Sequence, residues 1–100
     1  MSPAYAATKH GIAGLAKAMC DELAQFNIQV NTIAPGYFAT KLTEKTRSDP
    51  KRNAEILAHI PANRWGDLYD LMGACVFLAS NASDYVNGHI LTVDGGFLMR

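Results

Sequence analysis

The sequence predicts an α/β fold, and more specifically one part of a doubly wound parallel sheet, from the order of its helical and strand-like segments. Helix, strand, loop with a short helix, helix and strand follow one another along 100 residues, a length that suits one domain. A strand, a long helical crossover and a second strand predict two parallel strands. Parallel sheets are normally covered by helices on both faces, and here no strand precedes the first helix. We therefore expect the chain to be the C-terminal part of a larger domain.

The first element is a helix over residues 3–26. Side chains that share one face recur every three or four residues, and they are Tyr5, Lys9, Ile12, Ala16, Met19 and Leu23. A second stripe contains only small residues, which let another backbone approach closely. Pro3 suits the first helical turn, and Asn27 is expected to end the helix.

The middle of the chain begins with a strand over residues 28–33, where apolar and polar side chains alternate. Residues 34–36 are Ala-Pro-Gly and end the strand. Residues 37–49 are polar and weakly periodic, which predicts a loop or mobile segment. A short helix follows over residues 50–59, and Pro61 closes it.

The last elements complete the strand–helix–strand unit. Asp67 can cap a helix that continues to about Ser80 and has a broad apolar face. Residues 81–88 have turn chemistry. Residues 89–93 read as the second strand, which Asp-Gly-Gly follows.

Composition excludes several classes of protein and partner. Nine Lys and Arg balance nine Asp and Glu, so we expect neither nucleic acid nor a membrane surface as a partner. The longest apolar run, residues 71–79, is far shorter than the roughly 20 residues of a membrane span. The three histidines show no spacing typical of metal ligands, so no metal site is expected. The first residues lack signal-peptide features, and we expect a cytoplasmic protein in which Cys20 and Cys75 are buried free thiols.

Tyr5 and Lys9 are the first candidates for chemistry. Four residues apart on a helix, the two side chains share a face. A lysine ammonium favours the phenolate form of a neighbouring tyrosine, which suits the phenol to donate and accept the proton that carbonyl reduction or alcohol oxidation requires. The alternative is a chance pair on a helix surface. Lys9 nevertheless lies on an otherwise largely apolar stripe, where a charge is unfavourable without a purpose.

The turn after the first strand is the second candidate. In open α/β sheets, ligands bind beyond the C-terminal ends of the strands. Gly36 lets the backbone approach a ligand closely, and Thr40 offers a hydroxyl soon after. The alternative is an ordinary strand-ending turn.

Six short segments stand in an order typical of one enzyme family. They are Tyr5-Ala6-Ala7-Thr8-Lys9 for a YxxxK motif, residues 31–40 for an N-x-I-x-P-G-x-x-x-T segment, Arg64-Trp65-Gly66, residues 76–80, residues 85–88 and residues 93–96. Each segment is weak evidence singly, but all of them in register are specific. Over essentially its whole length, the chain resembles the C-terminal part of a short-chain dehydrogenase/reductase.

This resemblance implies a Rossmann-like fold and assigns roles to residues. Tyr5 would be the general acid/base, and Lys9 would assist it and bind the ribose of the nicotinamide cofactor, NAD or NADP. Further cofactor contacts would come from Pro35, Gly36, Phe38 and Thr40. Residues 37–63 would form a lid over the substrate.

The resemblance also implies a domain organisation. Residues 1–100 would be the C-terminal part of a single dehydrogenase/reductase domain, comprising the catalytic helix, the lid and the last strand–helix–strand unit. The family's glycine-rich dinucleotide loop and its catalytic Ser and Asn lie upstream of the Tyr and are absent from this sequence. The chain would then be an inactive fragment of an enzyme that is a homo-oligomer, a dimer or tetramer, in its full-length form. The alternative is a truncated, catalytically inactive interaction or assembly module.

The expected substrate is a sugar acid. Segments such as residues 27–31 and 83–88 look most like dehydrogenases that act on gluconate or 3-deoxygluconate. The lid has five Lys and Arg against three Asp and Glu, whereas the rest of the chain has four against six. A cationic lid favours a carboxylate substrate. The alternative is that these are solvated surface charges.

Overall fold

The computed structural model describes residues 2–100, which form helices and a two-stranded parallel sheet. The helices are α1 (Pro3–Leu23), α2 (Glu44–Ser48), α3 (Pro50–His59) and α4 (Tyr69–Ala79), and the strands are β1 (Thr32–Pro35) and β2 (Ile90–Val93). The predicted α/β class and the parallel strand pair are therefore confirmed. The chain divides into a first unit, residues 2–32 and 77–91, and a second unit, residues 33–76 and 92–100.

In the first unit, α1 begins where its sequence predicts but ends at Leu23, three residues before the predicted end. The Ser2 side chain accepts a hydrogen bond from the Tyr5 backbone N–H at 3.1 Å, which satisfies one of the free donors of the first turn. After Leu23 the chain continues as a 3₁₀ turn over Ala24–Phe26. Asn27 then adopts a left-handed conformation with φ 57°, a conformation that asparagine tolerates better than most residues.

The prediction of a strand over residues 28–33 is wrong in its first four residues, and the strand also continues through Ala34 and Pro35, which were predicted to end it. Two asparagine side chains, and not a regular ladder, hold this stretch. The Val30 N–H donates to Asn87 Oδ1 at 2.8 Å, and Asn31 Oδ1 accepts from the His89 N–H at 3.0 Å. Such side-chain bonds offer the backbone an alternative to sheet pairing.

In the second unit, the predicted loop over residues 37–49 is partly wrong, because a 3₁₀ turn (Lys41–Thr43) and α2 occupy most of it. The helix predicted over residues 50–59 is confirmed as α3. Its cap is Asp49, whose Oδ1 accepts from the backbone N–H groups of Lys51 (3.1 Å) and Arg52 (3.4 Å).

The last helix and strand also agree with the sequence. Asp67 Oδ1 accepts from the Tyr69 N–H at 2.9 Å and so caps α4, as predicted. A 3₁₀ turn at Asn81–Ser83 lies within the predicted turn region, and β2 falls within the predicted range of residues 89–93. After β2, Asp94 Oδ1 accepts from the Gly96 N–H at 2.8 Å, which closes the turn.

Few side chains of residues 2–100 are buried: Phe38 and Ile60 among the apolar ones and Ser83 among the polar ones. Large apolar side chains on α1 and α4 are instead exposed, including Ile12 (56%) and Val76 (65%). Cys20 is half-buried, but Cys75 is exposed, so its predicted burial is wrong. The apolar residues around Cys75 predicted that this face of the helix is buried, but the face of α4 that carries Cys75 is exposed. In the described part of the chain, no helix is both long and apolar enough to cross a membrane.

Candidate active site

Tyr5 and Lys9 lie on one face of α1, as their spacing predicts. The Lys9 Nζ atom is 5.3 Å from the centroid of the Tyr5 ring. Both side chains are exposed, Tyr5 by 54%. Within residues 2–100, neither the Tyr5 hydroxyl nor the Lys9 ammonium forms a hydrogen bond or salt bridge, so both polar groups are available to a ligand.

The turn after β1 contains the other predicted site residues. Pro35 is exposed at the end of the strand, and the Gly36 N–H donates to the Val93 carbonyl at 2.9 Å. A Cβ atom at Gly36 would lie 2.6 Å from Asp94 Cβ and 2.8 Å from Asp94 Cα. Glycine is therefore required here by close packing against Asp94, whereas the sequence suggested close approach to a ligand.

Phe38 fixes this turn through both its ring and its backbone. Its side chain is buried, and its backbone forms an isolated parallel bridge with Gly66. The Gly66 N–H donates to the Tyr37 carbonyl, and Gly66 O accepts from the Ala39 N–H, both at 2.8 Å. Among the described residues, the N–H groups of Tyr37 and Phe38, which are adjacent along the chain, have no acceptor.

Thr40 leads into a small polar network that the sequence did not predict. Its N–H donates to Thr43 Oγ1 at 3.1 Å, and its carbonyl accepts from Arg47 Nη2 at 2.9 Å. Thr43 directly precedes α2, and Arg47 lies four residues later within this helix. This spacing is the one sequence signal that could have identified the pair.

Arg64 lies beside this turn, at an open cleft of about 230 Å³ that Tyr37, Phe38 and Asp94 also line. Its guanidinium binds both carboxylate oxygens of Asp70, at 2.7 and 3.0 Å. That hydrogen bonding, together with the N–H of Asp67, lowers the pKa of Asp70 to about 2. The same pairing raises the pKa of Arg64. The ion-pair partner of Arg64 is thus Asp70 and not Asp67, which is nearer in sequence.

The predicted site residues therefore form two groups. Tyr5 and Lys9 belong to the first unit, while Pro35, Gly36, Phe38 and Thr40 belong to the second. Residues 2–100 contain no cluster of three His, Cys, Asp or Glu side chains arranged to hold a metal ion. The first group offers a phenol and an ammonium, and the second offers backbone donors.

A family profile described as Enoyl-(Acyl carrier protein) reductase matches residues 1–98. The uncharacterized oxidoreductase YgcW of Escherichia coli K12 is 70% identical over 99 residues, which cover 99% of this chain and 38% of the relative. The 2-dehydro-3-deoxy-D-gluconate 5-dehydrogenase of Bacillus subtilis 168 is 60% identical over 98 residues, covering 98% of this chain and 39% of that enzyme.

A solved structure extends the comparison to three dimensions. The gluconate 5-dehydrogenase of Burkholderia cenocepacia J2315, in complex with NADP and tartrate, superposes with a TM-score of 0.91 and 46% identity. The match covers 96% of this chain and 38% of the other. The chain therefore spans about two fifths of the length of these proteins, and the predicted Rossmann-like architecture is confirmed for that part.

Proposed function

Because the chain belongs to the short-chain dehydrogenase/reductase family, we propose that residues 1–100 are the C-terminal part of a single NAD- or NADP-dependent dehydrogenase domain. The complete domain would interconvert a ketone and a secondary alcohol on a sugar acid. Two observations support this. The relatives are more than twice as long as this chain, and the exposed apolar side chains of α1 and α4 offer faces for further layers of a domain.

The residues present fit a nicotinamide cofactor. Its carboxamide needs backbone partners, and the N–H groups of Tyr37 and Phe38 donate to nothing else within residues 2–100. Its ribose hydroxyls need polar side chains, and Lys9 has three free donors on an exposed ammonium. Pro35, Gly36 and Thr40 complete the turn, which we call the cofactor turn (residues 35–40). When bound, the cofactor supplies or accepts the hydride.

Tyr5 handles the proton in this proposal. In the reducing direction, the carbonyl carbon gains a hydride and the Tyr5 hydroxyl gives its proton to the carbonyl oxygen, so a secondary alcohol forms. In the oxidising direction, the Tyr5 phenolate takes the proton from the alcohol. The Lys9 ammonium stabilises the phenolate that either direction requires.

One observation carries the proposal: Lys9 Nζ lies 5.3 Å from the Tyr5 ring centroid on an exposed helix face. An ammonium at this distance from a tyrosine ring centroid is attracted to the ring by a cation–π interaction. Neither polar group is used by another described residue, so the structure of this part of the chain gives the pair no stabilising role elsewhere.

The lid is proposed to recognise the carboxylate of the substrate. Of its five fixed cations, Lys41, Lys45, Lys51 and Arg52 are exposed. Charges in this position attract an anionic substrate and can hydrogen-bond its carboxylate when the lid closes. The names of the Bacillus and Burkholderia relatives, both dehydrogenases of gluconate-type acids, support a sugar acid.

The test uses a chimera in which this chain replaces the matching segment of the 70%-identical E. coli oxidoreductase. We expect the chimera to oxidise gluconate or a 3-deoxygluconate with NAD or NADP, and the 100-residue chain alone to show no turnover. A folded chimera that turns over neutral secondary alcohols but no sugar acid would refute the substrate proposal. A chimera that folds, assembles and turns over nothing would favour the assembly module.

A further inference from the structure

The cofactor turn is held by Gly66 and by two residues that follow the turn in the chain, Thr43 and Arg47. On the Gly66 side, two backbone hydrogen bonds of 2.8 Å fix the peptide groups of Tyr37 and Ala39. These bonds leave the carbonyl of Phe38 and both polar backbone groups of Thr40 without a partner from Gly66. The side chains of Thr43 and Arg47 bind those groups, and the Thr43 backbone N–H also donates to the Thr40 carbonyl at 3.2 Å.

Thr43 binds the cofactor turn with its hydroxyl. Its Oγ1 donates to the Phe38 carbonyl at 2.8 Å, with the Thr40 carbonyl a second, longer option at 3.1 Å. The same oxygen accepts from the Thr40 N–H at 3.1 Å and from Arg47 Nε at 3.2 Å. One donated and two accepted bonds exhaust the capacity of a hydroxyl group. The side chain is half-buried and therefore serves the chain itself.

Arg47 completes the network from the next turn of the helix. Its Nε donates to Thr43, and its Nη2 donates to the Thr40 carbonyl at 2.9 Å. Hydrogen bonds from a charged donor are roughly twice as strong as neutral ones. Arg47 is half-buried, whereas Lys45 on the same helix is exposed and forms no hydrogen bond within the described residues. The two cations of α2 are thus used differently.

We propose that Thr43 and Arg47 are positioning residues of the cofactor turn. They hold the Phe38 carbonyl and the Thr40 peptide in place, so that the free N–H groups of Tyr37 and Phe38 keep the orientation that the nicotinamide carboxamide needs. The positioning role of Thr43 and Arg47 depends on the proposed function only in naming the nicotinamide cofactor as the ligand. It also removes Arg47 from the cations that recognise the substrate carboxylate.

Four variants of the chimera test this assignment. Thr43→Val keeps the shape and removes the hydroxyl, and Thr43→Ser keeps the hydroxyl. Arg47→Met removes both donors, and Lys45→Met is the matched loss of a lid charge. We expect Thr43→Val and Arg47→Met to raise KM for the cofactor about tenfold, the effect of losing a hydrogen bond worth about 1.4 kcal/mol. Thr43→Ser should restore the wild-type value. Lys45→Met should instead raise KM for the sugar acid.

Amide hydrogen exchange in the same variants supplies a readout that does not need activity. Exchange at the Thr40 N–H should accelerate about tenfold in Thr43→Val, while amides in the interior of α1 keep their protection. Unchanged exchange and unchanged cofactor KM would overturn the assignment. Equal rises in both KM values, with loss of protection throughout, would overturn it as well, since they indicate general destabilisation. A wild-type chimera without turnover refutes the proposed function, and exchange at Thr40 still decides the positioning role.

Discussion

Gly66 offers a stability test of how the cofactor turn is held. A Cβ atom at this position would lie 2.6, 2.7 and 2.9 Å from Cε1, Cδ1 and Cζ of Phe38. Non-bonded carbon atoms normally stay about 3.5–4.0 Å apart, so the ring would have to move by about 1 Å. Phe38 is only 8% exposed. The N–H and the carbonyl of Gly66 are both hydrogen-bonded, to the backbones of Tyr37 and Ala39. The ring therefore has little room to move.

The magnitude follows from two opposing effects. Overpacking of a core costs about 1–3 kcal/mol, and replacing glycine by alanine returns about 0.4–1 kcal/mol by restricting the unfolded chain. We expect Gly66→Ala to lower the free energy of unfolding of the chimera by about 1–2 kcal/mol. For the chimera, which is more than twice as long as this chain, that corresponds to a fall in Tm of about 2–8 °C.

Thermal and urea unfolding measure this effect, and a double-mutant cycle assigns its cause. Phe38→Leu removes the Cε1 and Cζ atoms that the new Cβ would meet. The cost of Gly66→Ala should therefore fall by more than about 0.5 kcal/mol when Phe38→Leu is already present. A Gly66→Ala variant as stable as the wild type would refute the argument. Strict additivity of the two changes would refute it as well.

Three further predictions concern pH, cofactor binding and substrate choice. The pKa of Asp70, about 2 in the folded chain, lies below its ordinary value of 3.8, so the ion pair with Arg64 stabilises the fold above about pH 4 and loses this effect as the pH falls toward 2. In acid unfolding, the difference between wild type and Asp70→Asn should shrink across that window, and a constant difference would contradict the assignment. Lys9→Met should raise KM for the cofactor about tenfold, because the ammonium proposed to bind the ribose is gone, and an unchanged KM would argue against this role. Exchanging residues 37–63 for the lid of a relative that uses neutral ketones should raise KM for sugar acids much more than for a neutral ketone, and equal changes would remove the lid as the source of carboxylate preference.

Local patterns predicted the long and capped helices but missed shorter elements. The apolar period of α1 and the capping residues Asp49 and Asp67 are local signals, and the helices they predict are present. The five residues of α2 are too few to show a period. The start of β1 was missed because Asn87 binds Val30 across 57 positions of sequence, a contact that no local pattern encodes.

In the candidate site, too, contacts between residues close in sequence were predicted, and contacts between remote residues were not. A spacing of four residues was enough to place Tyr5 beside Lys9, because the helix fixes the geometry of such a pair. The reason for Gly36 could not be predicted, since its neighbour Asp94 is remote in sequence. Arg47 was counted among the lid cations, because a sequence does not show whether a guanidinium faces solvent or a backbone carbonyl.

The most direct test of the proposed function compares Tyr5→Phe with Tyr85→Phe in the chimera. Both changes remove one phenolic hydroxyl, but Tyr85 is fully exposed and forms no hydrogen bond within the described residues. Single-turnover hydride transfer with bound cofactor isolates the chemical step. We expect Tyr5→Phe to slow it by about 10²–10⁴-fold while cofactor binding persists, and Tyr85→Phe to match the wild type. A Tyr5→Phe variant that transfers hydride at the wild-type rate would contradict the assignment of Tyr5 as the proton donor and acceptor.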